Sequence, residues 1–270
     1  LANNKHLFKE LLMKIGIIGM GNIGGMYAKR LSCVHDVIAY DADNEKLKNI
    51  CLANGYIQAS SLEDINHQAE IILLAVKPNG VKSVLRELQG KGKIFISTVA
   101  AVDQQNYYDV AGQITLFRIM PSMVNKTGGP IMVVRGTYAG DEEEQKVLEL
   151  LQLVGHPYLI DEREMDAYMC VMSCSPAVFA EFFKQYVESF CSNSNIESEK
   201  ALNTVLDMVE QLVPILRTER YDIIRQVCTP GGITEVGVQH LSNNREFFQE
   251  MADNMLFRTQ VISASVREQQ

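Results

Sequence analysis

From Met13 the chain alternates short, wholly apolar runs with stretches of helical period, and near Asp161 the runs stop. The runs are Met13–Gly19, Val37–Asp41, Glu70–Val76, Lys93–Val99, Ile114–Met120 and Ile131–Gly136, with helical stretches between them near 22 to 32, 44 to 54, 79 to 89 and 141 to 154. A strand apolar on both faces has to be covered on both, and helices placed between successive strands supply that cover. The arrangement predicts an α/β domain over 13–160 built on a doubly wound parallel sheet. Three long helical stretches follow, roughly 163 to 192, 196 to 226 and 235 to 266, and predict an all-α domain over 161–270. The first carries Met165, Tyr168, Met169, Val178, Phe179 and Phe182, apolar on more than one face. Three helices give such a segment too little cover, so a second copy of the chain is expected to pack there.

The first apolar run ends in Gly19-x-Gly21-x-x-Gly24, and a helix opens near Asn22. In that setting the first glycine makes a tight turn, the second lets backbone approach a diphosphate, and the third lets helix and strand pack closely. Gly19, Met20, Gly21, Asn22, Ile23 and Gly24 are therefore the candidate dinucleotide seat of a Rossmann-like domain, with unpaired N–H groups at the helix start facing the phosphates. The second run ends in Asp41, 22 residues after Gly19. Either its carboxylate accepts hydrogen bonds from a ribose diol, or it caps the following helix together with Asp43-Asn44. The first reading favours NADH over NADPH, because a carboxylate repels a 2'-phosphate and no arginine follows nearby.

Composition narrows the partners. With 25 basic against 33 acidic residues and a net charge of -8, the chain offers no basic run for nucleic acid. The apolar runs are far shorter than the roughly 20 residues of a membrane span. Residues 1 to 12 lack the apolar core of a secretory leader and are set apart as an unstructured lead, and a cytoplasmic location is expected. Six scattered cysteines read as buried, reduced thiols, Cys170 and Cys174 as two core thiols rather than a zinc site. No metal is expected. His35, His67, His156 and His240 stand alone and read as surface or structural residues, and the acidic run Glu142–Glu144 behind Gly140-Asp141 reads as a helix cap.

The only strong punctuation in the helical half is Thr229-Pro230-Gly231-Gly232, within the segment RQVCTPGGITEVGVQHL from Arg225 to Leu241. Gly231 and Gly232 let the backbone turn, and the N–H groups leading into the helix near Glu235 suit a small carboxylate. By spacing alone Thr234 serves equally well as an N-cap. This segment, the glycine loop, Ala75-Val76-Lys77-Pro78 and Phe117-Arg118-Ile119-Met120-Pro121 together resemble pyrroline-5-carboxylate reductase over nearly the whole chain from Met13. The resemblance implies NAD(P)H as cofactor, with Ala75, Val76, Lys77, Pro78, Pro121 and Ser122 joining the glycine loop and Asp41 around it, although Lys77 reads equally as a solvated lysine at a helix start. It implies an imine carboxylate substrate held by Thr229, Gly231, Gly232 and Thr234, the Thr234 hydroxyl on the imine nitrogen, in a homodimer that assembles through the C-terminal helices or further.

The chain departs from that family in three places. Where the family continues Met-Pro-Asn-Thr-Pro, this chain reads Met120-Pro121-Ser122-Met123-Val124-Asn125, which removes an amide and a hydroxyl and leaves Ser122 or Asn125 as substitutes. Where the family reads Ser-Gly-Ser-Gly-Pro, this chain has Met172-Ser173-Cys174-Ser175-Pro176. Asp41 replaces a polar or basic phosphate-binding turn. These changes resemble the late-competence branch of the family, which binds NAD(P) with weak, altered or no reductase activity. A β-hydroxyacid dehydrogenase shares the glycine fingerprint, but it wants a lysine and an asparagine on the first long C-terminal helix, and Asp166–Pro176 holds neither.

Overall fold

The computed structural model describes residues 12–88, 92–100 and 102–268, so all but the last of the first twelve residues lie outside the described part. Its strands are β1 (Lys14–Ile18), β2 (Asp36–Tyr40), β3 (Ile57–Gln58), β4 (Ile71–Leu74), β5 (Ile94–Ser97), β6 (Thr115–Met120), β7 (Pro130–Arg135) and β8 (His156–Leu159). They form one sheet in the order β3-β2-β1-β4-β5-β6-β7-β8. The helices between them are α1 (Asn22–Leu31), α2 (Asn44–Asn54), α3 (Leu62–Gln68), α4 (Val81–Glu87), α5 (Gln104–Ala111) and α6 (Asp141–Gln152).

The apolar runs become central strands because each buries both faces. Ile15, Ile17, Ile71, Leu73, Ile94 and Ile96 point into one layer, which Tyr27, Leu31, Leu47, Val147 and Leu150 of α1, α2 and α6 cover. The alternate residues Ile18, Ile38, Ile72, Leu74 and Phe95 point into the other, under Leu62, Ile65, Val81, Leu85 and Tyr107 of α3, α4 and α5. Each fully buried aliphatic side chain contributes on the order of 1.5–3 kcal/mol, so the two layers together hold the sheet.

Two features correct the sequence reading. The sheet is not parallel throughout, because β7 runs antiparallel to β6. The connection between them, 121–129, is too short to carry the crossover helix that a parallel return needs. The edge strand β8 also lacked an apolar signature, since most of its side chains are exposed and it contains Pro157. The acidic run does act as a cap: Glu143 accepts the Gly140 N–H at 3.0 Å at the start of α6.

The helical stretches are broken rather than continuous. After the 3-10 turn Glu162–Glu164 come α7 (Met165–Tyr168), a π-helical turn Met169–Cys174, and α8 (Ser175–Ser192) with Pro176 in its first turn. Next follow α9 (Ser198–Glu219), α10 (Asp222–Val227), α11 (Ile233–Asn243) and α12 (Arg245–Glu268). Arg220, with φ of 55°, ends α9, because a left-handed residue cannot continue a helix. The chain divides into two compact units: the described residues up to Ser173 with those from Arg258 onward, and Cys174–Phe257.

Within the second unit α8 packs on α9, and Phe179, Phe182, Tyr186 and Phe190 remain exposed along α8. Among the described residues no helix is long and apolar enough to cross a membrane. Cys51 and Cys170 are buried but Cys33 and Cys174 are exposed, so the reading of Cys174 as a core thiol is corrected.

Candidate functional site

The glycine loop is built by close approach at two of its three glycines. Gly19 has φ of +96°, and a Cβ there would lie 2.5 Å from the Ala75 carbonyl oxygen at the end of β4. A Cβ on Gly24 would overlap the Gly19 carbonyl oxygen itself. Gly21 differs, because a Cβ there would meet nothing within 4 Å. The fold therefore requires Gly19 and Gly24 for its own packing, whereas Gly21 opens onto space that a ligand can enter. Gly21 also caps α1 without a side chain, and no acidic residue follows in the first turn. Among the described residues no group accepts from the N–H of Asn22 or Ile23, which leaves these donors at the positive end of the helix for an anion. The strand order reverses here, since β1 has β2 on one side and β4 on the other, and a crevice opens between their carboxyl ends.

Asp41 lies one residue past β2 and reaches back to this loop. Its Oδ2 accepts the Met20 N–H at 2.6 Å and its Oδ1 accepts the Asp43 N–H at 3.1 Å. It does not cap α2; Asp43 does, accepting from the Lys46 N–H at 3.0 Å. Asp41 thus braces the turn and keeps lone pairs for a further donor, since an ionised carboxylate accepts about four hydrogen bonds. Ala75 and Val76 pack against Gly19, and Lys77 is exposed at the carboxyl end of β4 before Pro78 opens a 3-10 turn. Pro121 and Ser122 close the carboxyl end of β6 two strands further along, both buried.

The late loop belongs to the other unit. Gly231 has φ of +75°, its N–H donates to Glu235 Oε2 at 2.7 Å, and the Gly232 N–H donates to the Thr229 carbonyl at 2.9 Å. Two amides that the sequence offered to a carboxylate are therefore already bonded. The N-cap of α11 is Gly232, so Thr234 stands inside the first turn and is no cap. Its exposed hydroxyl is available to a ligand, as are the N–H groups of Ile233, Thr234 and Glu235, which no group among the described residues accepts. Thr229 Oγ1 sits against Gly232 where a side chain would otherwise be, so Thr229 shapes the turn. Beside Thr234, Ile233 is 95 % exposed, an apolar side chain that calls for cover.

Two family profiles match the chain: one described as NADP oxidoreductase coenzyme F420-dependent over residues 14–101, and one described as pyrroline-5-carboxylate reductase dimerisation over residues 162–261. The chain is 29% identical to pyrroline-5-carboxylate reductase of Aquifex aeolicus over 240 residues, 86% of this chain and 89% of that one. It resembles the crystal structure of 1-pyrroline-5-carboxylate reductase from Streptococcus pyogenes with a TM-score of 0.84 at 26% identity, covering 94% of this chain and 99% of that one. The helical half thus matches the pyrroline-5-carboxylate reductase dimerisation domain, and the chain is similar to pyrroline-5-carboxylate reductases over most of its length. Another relative, ComE operon protein 4 of Bacillus subtilis, is 26% identical over 95% of this chain and 99% of its own.

Within the pyrroline-5-carboxylate reductase framework, the departure after Met120 is resolved by the turn itself. Asn125 is fully buried; its Oδ1 accepts the Ser122 N–H at 2.7 Å, and its Nδ2 donates to the carbonyls of Gly129 and Pro130, each at 2.9 Å. Both amide donors go into folding the connection to β7 and the side chain is fully buried, so it does not stand in for the missing amide. Ser122 Oγ donates to the Met172 carbonyl at 3.4 Å and is likewise engaged.

Arg118, inside the Phe117–Pro121 motif, has a structural role of its own. Arg118 is 6% exposed and forms an ion pair with Glu162, which also accepts the Gln104 N–H at 3.3 Å. Next to them Tyr107 and Ser97 share a 2.5 Å hydrogen bond, and burial pushes the Tyr107 phenol up to about 12, so it keeps its proton at any working pH. A cation inside the apolar run Thr115–Met120 was the signal available, since a buried charge requires a partner.

Proposed function

We propose that this chain is an NAD(P)H-dependent reductase of pyrroline-5-carboxylate that forms proline, with a cofactor domain over 13–160 and a helical dimerisation and substrate domain over 161–270. The observation that carries the reading is Gly21: alone of the three loop glycines it faces open space, at a helix start whose first N–H groups have no acceptor among the described residues. Those residues fit a dinucleotide diphosphate. The bound nicotinamide supplies a hydride to the imine carbon.

The rest is positioning by the chain. Asn22 and Ile23 N–H groups hold the diphosphate, and Asp41 receives the ribose hydroxyls, which favours NADH. Ala75, Val76, Lys77, Pro78, Pro121 and Ser122 border the rest of the cofactor. The substrate carboxylate takes the N–H groups of Ile233, Thr234 and Glu235, while Thr229, Gly231 and Gly232 shape that turn. The Thr234 hydroxyl hydrogen-bonds the imine nitrogen. Binding the imine protonated removes the need for a general acid, because hydride addition neutralises the cation, and orientation then accounts for most of the rate. The exposed aromatic row of α8 is the surface through which a second copy docks, giving a homodimer in the cytoplasm.

Turnover tests this reading: purified protein should convert pyrroline-5-carboxylate and reduced cofactor to proline in equal amounts. Thr234→Ala should lower kcat roughly 10- to 100-fold, the weight of one hydrogen bond to a charged group, with cofactor affinity unchanged. Unchanged kcat would remove Thr234 from this role. A second reading has its own observation. The turn after β6 spends Ser122 and Asn125 internally, which suits a competence-type paralogue that binds NAD(P) with weak or altered activity. Cofactor binding without proline formation would favour it.

A further inference from the structure

The two places where this chain departs from its family at the β6 turn and at the start of α8 touch one another. Ser173 Oγ donates to the Pro121 carbonyl at 2.8 Å, and Ser122 Oγ donates to the Met172 carbonyl at 3.4 Å. Each serine thus bonds the residue that precedes the other. The turn Pro121–Ser122 has little left to offer a ligand. Proline has no N–H, and its carbonyl is taken by Ser173. The Ser122 N–H goes to Asn125 Oδ1 at 2.7 Å, and the Ser122 carbonyl accepts the Asn125 N–H at 2.9 Å. The opposite half of the contact is the π-helical turn Met169–Cys174, an irregular geometry that persists only where surrounding contacts favour it. A glycine at 173 would leave the Pro121 carbonyl free, and an asparagine at 122 would present an amide.

We propose that Ser122 and Ser173 are positioning residues forming a reciprocal clasp, which fixes the carboxyl end of β6 against the π turn. That edge of the cofactor seat then selects by shape rather than by hydrogen bonding. The carboxyl ends of β1, β4, β5 and β6 lie in that order, so a dinucleotide whose diphosphate sits at Gly21 extends along them past the Pro121 turn. The inference rests on the cofactor reading above. A ligand whose flank on this side is apolar is favoured, because any group seeking a hydrogen bond there must first break one already made.

The full-length protein with Ser173→Ala, Ser173→Thr and the double change Ser122→Asn/Ser173→Gly tests it. Losing one neutral hydrogen bond should lower kcat for pyrroline-5-carboxylate about three- to tenfold in Ser173→Ala, with KM and cofactor affinity held within about twofold. The fluorescence of bound reduced nicotinamide should shift as well. Ser173→Thr, which keeps the hydroxyl, should restore both, and the double variant should raise kcat/KM above wild type. The clasp is refuted if the alanine and threonine variants behave alike, or if the loss merely follows a lowered unfolding midpoint. Should the wild type bind cofactor without turnover, the reductase reading fails on its own, and fluorescence still reports the clasp. Should it bind no cofactor, hydrogen exchange at the amides of 122–125 reports it: faster in Ser173→Ala and normal in Ser173→Thr if correct, equal in all three proteins if wrong.

Discussion

Replacing Gly24 by alanine places a methyl group on the Gly19 carbonyl oxygen, whereas replacing Gly21 by alanine places one in open space. The two substitutions are chemically identical and three residues apart, so they separate what the loop does for the fold from what it does for a ligand. For Gly24→Ala the neighbour is backbone, which cannot swing aside, so α1 must move off β1. Overpacking of this kind costs about 1–3 kcal/mol, and at roughly 2–4 °C per kcal/mol for a domain of this size the unfolding midpoint should fall by about 2–12 °C. Gly21 has φ of -79° and ψ of -160°, which alanine adopts freely, so the cost is limited to an alanine at the N-cap, under about 1 kcal/mol. A methyl at 21 nevertheless keeps the diphosphate from the Asn22 and Ile23 amides. Losing about 2 kcal/mol of that contact weakens binding roughly 30-fold. Thermal unfolding without ligand and a fluorescence titration with reduced nicotinamide dinucleotide read the two effects apart. Equal loss of stability in both variants, or cofactor binding by Gly21→Ala as tight as wild type, would refute the reasoning.

Asn125→Ala should lower the unfolding midpoint by at least about 4 °C, because one buried and two part-buried groups lose their partner at once, and an unchanged midpoint would show the turn does not depend on it. Asp41→Asn should shift the ratio of NADH to NADPH affinity toward NADPH by about tenfold, measured as paired dissociation constants; an unaltered ratio would detach Asp41 from the ribose. His35 is buried and accepts the Met13 N–H at 3.4 Å, and burial holds its imidazole below the ordinary value of 6.5 against the pull of Glu70 and Asp36. The folded state therefore resists protonation, and the stability tied to the neutral ring is complete above about pH 6.5 and lost as the pH falls below it. The midpoint should drop less between pH 7 and 5 in His35→Gln than in wild type, and equal drops would argue against it.

The parts of the molecule that could be read from sequence are those whose cause is local. Gly19, Gly21 and Gly24 sit on a strand, a turn and a helix that are contiguous in the chain, so their spacing carried the fold of the turn. Contacts made after the sheet assembles were not readable in this way. Asn125 looked like a free amide because Gly129 and Pro130 meet it only when β7 turns back against β6. Ser173 lies 52 residues from Pro121, and no periodicity connects them. Thr234 had the spacing of an N-cap, but the positive φ of Gly231 and the bond from Glu235 start the helix at Gly232 instead. Asp41 was ambiguous between cap and ligand because both ask for a carboxylate at a strand end, and its role as a brace depends on the Met20 N–H that the folded turn brings to it.

The most direct test of the account is a crystal structure of the protein with reduced nicotinamide dinucleotide and proline. The diphosphate should lie on the amides of Asn22 and Ile23, the proline carboxylate on those of Ile233, Thr234 and Glu235, and the Thr234 hydroxyl beside the ring nitrogen. A diphosphate seated away from Gly21, or a proline carboxylate held elsewhere than at α11, would contradict it.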